Sequence, residues 1–267
     1  MIEQKELVEQ EHWNEMASDS LSSLSIPVWR GFCDELYLRS LNSWIGERRF
    51  RAALKTDLFD EVVGDGLAAW LQSVSDRVEG FDLVPAIAQK AASRHPQLIT
   101  RQADVRRLDS YPADYFDLVV SNSTLDHFTD EADLAKSLAE LTRVLMPGGL
   151  LFVSLDNPQN PIVSVRNRLS RMSKKSNPLI PYFMGYTVSQ VELCRMLDVV
   201  GLSVEQTEHV MHLPRVLFLH ACQLFSHDSW SGKAMIKWML AFEVLKYLPT
   251  RSRTGHYSVV LARKPDR

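Results

Sequence analysis

Between residues 50 and 156 the chain alternates short β-rich runs with longer amphipathic stretches, and no other feature constrains its fold as much. Strand patterns separated by helical ones specify βαβ units, because a parallel neighbour is reached only through a crossover, usually a helix. Strands are expected at 51–59 (RAALKTDLF), 76–83 (DRVEGFDL), 97–103 (QLITRQA), 115–122 (YFDLVVSN) and 148–155 (GGLLFVSL), then at 201–210 (GLSVEQTEHV) and 256–264 (HYSVVLARK). The first five are apolar enough to be buried on both faces, as parallel strands are. Leu134, Leu138, Leu141 and Leu145 share one face of a helix expected over 133–145, and MPGG (146–149) is expected to end it.

At 267 residues and 45% hydrophobic content the chain can bury a sizeable core as one domain, 1–267. A net charge of −3 gives no global pull toward nucleic acid, and no nucleic-acid partner is expected. The start, MIEQKELVEQEHW, is acidic where a signal peptide needs basic and then apolar residues, and no stretch is long enough to span a bilayer. A cytoplasmic protein is expected. Cys33, Cys194 and Cys222 are far apart and lack ligand spacing, so they read as buried free thiols, and no metal site is expected.

Open parallel sheets bind ligands beyond the carboxyl ends of their strands, so the residues just after each strand carry the functional reading. After the first strand comes DLFDEVVGDG (57–66), where either Asp57 or Asp60 is the acid at the strand end and Gly64 and Gly66 allow close backbone approach. A plain strand-to-helix turn with solvated acids is the alternative. Asp82 closes the second strand ahead of Pro85, which suits a first helical position; the acid can accept both hydroxyls of a ribose or cap the helix. Asp104, after the third strand, can accept from an adenine amine or sit in a surface loop. Three acids after three consecutive strands fit an adenosine carrying a cationic amino-acid tail.

FDLVVSNSTLDHF and LAELTRVLMPGGLLFVSLDN resemble the class I S-adenosylmethionine-dependent methyltransferases, with RVLMPGG the most specific element. The resemblance covers about residues 50–156 closely and the last two strands loosely. It implies an α/β fold, a Rossmann-like three-layer sandwich whose seven-stranded, mostly parallel sheet has the order 3-2-1-4-5-7-6 with strand 7 antiparallel, with helical insertions. It implies S-adenosylmethionine as cofactor and S-adenosylhomocysteine as product. By position, Asp82 would hold the ribose, Leu83 would be a further cofactor-binding residue, Asp104 and the backbone at Val105 would hold the adenine, and Ser121 and Asn122 would line the methionine and sulfonium region. If Asp60 were the acid, Val62 would replace the first glycine; with Asp57 ending the strand, Glu61, Gly64 and Gly66 form a longer loop toward the methionine end, which is the register adopted.

A dinucleotide dehydrogenase is disfavoured, since no GxGxxG follows the first strand and the chain holds neither a YxxxK pair nor GxxxxGK. His127, after strand four, can take a hydroxyl proton near neutral pH or act structurally, and Asp156 and Asn157 either face a ligand or close an Asx turn before Pro158. Two insertions, 157–186 and 211–253, are expected on the substrate side, and 1–48 as an N-terminal helical lid. The first insertion holds a basic run (164–175) and the aromatics Tyr182, Phe183 and Tyr186; the second holds two apolar helices, suited to a hydrophobic acceptor or a partner surface, with His212 and Arg215. Methyl transfer to a small, apolar or aromatic acceptor in small-molecule biosynthesis is the leading reading, with oxygen favoured. Cyclisation of S-adenosylmethionine, or elimination of its aminobutyrate arm to release methylthioadenosine, is the second reading, and an inactive binding scaffold the third.

Overall fold

The computed structural model describes residues 26–122, 124–128, 130–172 and 185–266. In chain order the elements are α1 (Pro27–Ile45), β1 (Phe50–Thr56), α2 (Phe59–Val63), α3 (Ala68–Val74), β2 (Ser75–Asp82), α4 (Pro85–Arg94), β3 (Ile99–Gln102) and β4 (Phe116–Asn122). There follow a 3₁₀ turn (Leu125–His127), α5 (Glu131–Val144), β5 (Leu145–Asp156), α6 (Pro161–Met172), α7 (Gln190–Val199) and β6 (Ser203–Val210). Last come α8 (Arg215–Cys222), α9 (Trp230–Ala241), a second 3₁₀ segment (Phe242–Tyr247), α10 (Arg251–Thr254) and β7 (Tyr257–Arg263). The strands form a seven-stranded sheet in the order β3-β2-β1-β4-β5-β7-β6, in which β7 runs antiparallel to both neighbours.

The chain divides into two compact units, one comprising residues 1–105 and 215–240, the other 106–214 and 241–267. In the first, β1, β2 and β3 pair in parallel, with Thr56 opposite Phe81 and Asp82 opposite Gln102. Leu54, Leu58 and Leu71 are fully buried there, and α1 contributes Phe32, Leu36 and Leu41 to the same core. Pro85 is the first residue of α4, where its missing N–H costs nothing. Contrary to the expectation of burial on both faces, β3 is largely exposed: it is four residues long and lies at the edge of the sheet, where side chains have a partner strand on one side only.

In the second unit, β4 and β5 pair in parallel and β5, β7 and β6 antiparallel. Leu134, Leu138 and Leu141 on α5 are fully buried, as their spacing requires, and the Asp130 side chain caps the helix by accepting from Asp133 N at 3.0 Å. MPGG does not end the helix as expected. The helix stops at Val144, and Met146 to Gly149 form the irregular first part of β5, looping out between the pairs Phe116↔Leu145 and Leu118↔Leu150. Proline cannot donate to a ladder, so a bulge beside a strand end accommodates it.

Candidate functional site

The first unit gathers acids around the loop after β1. Asp57 directly follows the strand and adopts φ 61, but Glu61, expected in a long loop, lies inside α2. Asp82 ends β2, and its carboxylate accepts from Leu58 N (2.9 Å) and Val84 N (2.8 Å), tying the first loop to the start of α4. Asp82 thereby fixes both loops while remaining more than nine-tenths buried. Asp60, inside α2, pairs with Arg30 of α1 at 2.8 Å.

Glu61 is fully buried against an equally buried lysine, Lys55 of β1, 3.5 Å away. Lys55 also donates to the carbonyls of Thr56 (3.0 Å) and Asp57 (2.7 Å). Burial opposes the lysine charge, but Glu61, Asp57 and Asp60 together outweigh it and hold Lys55 above its ordinary range. The other Glu61 oxygen accepts from Leu67 N at 3.0 Å. That carboxylate fills the space a side chain at Gly66 would need: a Cβ there would lie 2.6 Å from Glu61 Oε1, and Gly66 has φ 58, so glycine is required on both counts. Gly66 N donates to Asp34 of α1 at 3.2 Å. Gly64 closes α2 in extended conformation, Leu83 is half-buried, and Asp104 and Val105 follow β3, half-buried and buried.

Among the described residues, Asp34, Asp57, Asp60, Glu61 and Asp82 gather around Arg30 and Lys55. Burial, reinforced by Asp60 and Glu61, pushes the Asp34 carboxyl up to about 8, and burial with Asp82 nearby pushes Asp57 up to about 7. Burial also raises Glu61 and Asp82.

The second unit holds a separate polar cluster. Ser121 and Asn122 are buried at the end of β4. His127, on the 3₁₀ turn, lies with Nε2 3.8 Å from Asp126 Oδ1, and the second Asp126 oxygen accepts from Asp156 N at 3.3 Å. Burial raises the Asp126 carboxyl against the lowering effect of His127. Asp156, expected either to face a ligand or to close a turn, is paired with Arg166 and with His256, whose Nε2 is 3.5 Å away; Thr187 donates to its carbonyl. Asn157 closes the Asx turn, accepting from Gln159 N (3.0 Å) and donating to the carbonyls of Ser252 and Gly255. Tyr186 donates its hydroxyl to Glu131 Oε2 at 2.9 Å. Tyr182 and Phe183 lie outside the described residues, as does the end of the basic run.

His212 Nε2 donates to the His209 carbonyl (2.8 Å) and its Nδ1 accepts from Thr254 Oγ1 (2.7 Å), so both ring nitrogens are committed, and burial lowers its proton affinity. Its backbone N–H donates to the buried Glu243. The ring is a brace between β6 and α10. Arg215 belongs to the other unit, where its guanidinium lies over the Trp29 ring at 6.0 Å.

Sequence reading missed Asp126, Asp34, Lys55 and Arg166. A lysine inside an otherwise apolar strand (ALKT) signals a buried partner, and Asp126 stood next to a residue already chosen. Asp34 and Arg166 carry no comparable local signal, since each acts on a segment remote in sequence.

A doubly wound sheet with an antiparallel seventh strand and acids at the ends of its first two strands is a Rossmann-like fold. Residues 63–153 match the model of a methyltransferase domain family. It is 27% identical over 183 residues to a Mycolicibacterium smegmatis protein named a probable S-adenosylmethionine-dependent methyltransferase; the match takes in 68% of this chain and 65% of that one. Among solved structures, a Haloferax volcanii methyltransferase in complex with the Trm112 methyltransferase activator has the same fold (TM-score 0.61, 15% identity, 97% and 98% of the two chains). So does the N-methyltransferase NodS of Bradyrhizobium japonicum in complex with S-adenosylhomocysteine (TM-score 0.53, 13% identity, 88% of each chain).

S-adenosylmethionine is the cofactor that the match to a methyltransferase domain implies. A bound sulfonium and ammonium would add positive charge among these crowded carboxyls. A pH dependence follows. Asp34 and Asp57 hold their protons in the folded state to about 8 and about 7 and release them near 3.8 when unfolded. Their contribution to stability is therefore complete below the unfolded value and lost as pH rises through the folded ones. The unliganded protein is expected to melt at progressively lower temperature between pH 5 and 8.5, and saturating S-adenosylmethionine to flatten that slope. Differential scanning fluorimetry across the range checks it; identical slopes with and without ligand would refute the charge match.

Proposed function

We propose that the chain transfers a methyl group from S-adenosylmethionine to a small, apolar or aromatic acceptor, with oxygen as the favoured atom. The observation that carries this reading is the pairing of His127 with the buried Asp126 on the turn that follows β4. Asp82 and Leu83 would hold the ribose, Asp104 and Val105 the adenine, Ser121 and Asn122 the sulfonium region, and Asp57, Glu61, Gly64 and Gly66 the methionine end. When bound, the cofactor supplies an electrophilic methyl carbon on a positively charged sulfur, and it leaves as S-adenosylhomocysteine. His127 would take the hydroxyl proton of the acceptor on a ring nitrogen as the oxygen bonds to that carbon. Asp126 would face the imidazole from 3.8 Å, and its own anchor on Asp156 N keeps the carboxylate from turning away. Tyr186 would flank the acceptor, while Asp156, bound to Arg166 and His256, would hold the floor of the site in place.

His127→Ala is expected to lower kcat by about 10²–10⁴-fold, the usual contribution of a positioned base, while S-adenosylhomocysteine binding is retained. Labelled cofactor and a panel of phenols, alcohols and carboxylic acids would show it. Undiminished turnover by the variant would leave His127 a structural residue, and no product across the panel would count against an oxygen acceptor.

A second reading rests on the first loop. Phe59 and Glu61, in α2, stand where a glycine-rich turn is usual, and the buried Lys55 pairs with Glu61. Such a loop would suit an enzyme that turns S-adenosylmethionine on itself. Mass spectrometry of cofactor incubated with the protein alone decides between the two, since methylthioadenosine appears only in the second.

A further inference from the structure

The helices α8 and α9 of the first unit leave an apolar face that neither the core nor the proposed chemistry uses. Their inner faces are packed. Phe218 is buried with its ring 4.9 Å from that of Trp238, and Cys222 Sγ lies 3.6 Å from Met239 Sδ. Outward, by contrast, Val216, Leu217, Leu224, Trp230 and Trp238 are exposed by 62, 67, 82, 83 and 57%. Five large apolar side chains are exposed within residues 216–238, and concentrated apolar exposure of this kind marks interaction surfaces.

The composition of the face says what covers it. Along α9 the exposed residues are Trp230, Lys233, Ala234, Lys237, Trp238 and Ala241, whose spacing places them on one side of the helix. Two tryptophans thus bracket two lysines, with no acid between them. Between residues 215 and 240 the cations are Arg215, Lys233 and Lys237 and the single acid is Asp228, a balance of +2 in a chain whose total is −3. Protein interfaces deplete lysine, because its ammonium is expensive to desolvate and its long side chain expensive to order. At a lipid headgroup layer the same lysines keep their charge in water and meet phosphate, while the tryptophan rings sit at the boundary between headgroups and acyl chains. No described helix is long and apolar enough to cross a membrane, so contact would be along the surface.

We infer that the α8–α9 hairpin docks this protein on anionic lipid bilayers, with Trp230 and Trp238 entering the interface and Lys233 and Lys237 engaging lipid phosphates. The inference does not depend on the acceptor or on methyl transfer. It gives the apolar second insertion a role that core packing leaves open.

Cosedimentation of the full chain with vesicles tests it, using phosphatidylcholine alone and phosphatidylcholine with 30% phosphatidylglycerol. Wild-type protein is expected to pellet with the anionic vesicles, to stay in the supernatant with the neutral ones, and to be released by 0.5 M salt. The charge-reversed variant K233E/K237E should lose at least about 30-fold in partition coefficient, the value for two basic residues at an anionic surface. The variant W230S/W238S should also be released; circular dichroism and binding of S-adenosylhomocysteine establish that it is folded. Because Trp238 contacts Phe218, W230S alone serves as a second, conservative probe. Wild-type protein that ignores anionic vesicles overturns the proposal. So does binding that survives K233E/K237E, or a hairpin found buried between copies of the chain because W230S converts an oligomer into a monomer.

Discussion

Lys55→Met is expected to lower the free energy of unfolding by about 3–5 kcal/mol at neutral pH, the cost of leaving one member of a buried ion pair without the other. Lys55 and Glu61 are 3.5 Å apart, with side chains 2% and 0% exposed, so water cannot replace the lost ammonium. The lysine also donates to the Thr56 and Asp57 carbonyls, which would lose a donor at the point where the chain leaves β1 and turns through φ 61. Glu61 is already raised by burial, and removing its cation raises it further, so the variant is expected to recover stability as pH falls and the carboxyl becomes neutral. Lys55→Met combined with Glu61→Gln should regain most of the loss, because the amide oxygen can still accept from Leu67 N while no charge remains to be buried. Urea unfolding of the two single variants and the double variant at pH 5.5 and 7.5 measures this. Equal stabilities for Lys55→Met and wild-type protein would mean that Glu61 is solvated in solution.

The legible part of this chain is the part governed by local periodicity. Leu134, Leu138 and Leu141 repeat at helical spacing and are fully buried, and the strand patterns appear in the order that a doubly wound sheet requires. A proline ahead of IAQKAA marked the start of α4 because the preference of Pro85 for a first helical turn is itself local. The reading of the third strand as buried on both faces overlooked that three of the four residues of ITRQ are polar, and its place at the sheet edge leaves them exposed or half-buried. The partners of His212 were not legible. Its residue type suggests proton transfer, but Thr254 and the His209 carbonyl commit both nitrogens, and one of them comes from 42 residues further along. The acids after β1 and β2 were legible by position, whereas Asp34 was not, since it arrives on α1 and accepts from Gly66 N.

Asp82→Ala is expected to cause the largest loss of cofactor affinity. An ionised carboxylate offers about four lone-pair sites, and Leu58 N and Val84 N use two of them. The remaining two can accept the two ribose hydroxyls, the role proposed for this residue. Hydrogen bonds to a charged acceptor contribute about 1.5–3 kcal/mol each, so loss of two corresponds to about 10²–10⁴-fold weaker binding of S-adenosylhomocysteine. Part of the effect will be structural, because alanine leaves two buried backbone donors without their acceptor and loosens both loops. Asp104→Asn separates the contributions: it leaves the ties from Asp82 intact and should weaken binding by about tenfold through one adenine contact. Titration calorimetry of both variants, with thermal melts to establish that each is folded, gives the comparison. A folded Asp82→Ala protein that binds S-adenosylhomocysteine within threefold of wild type would show that Asp82 ties the two loops together and does not touch the ribose.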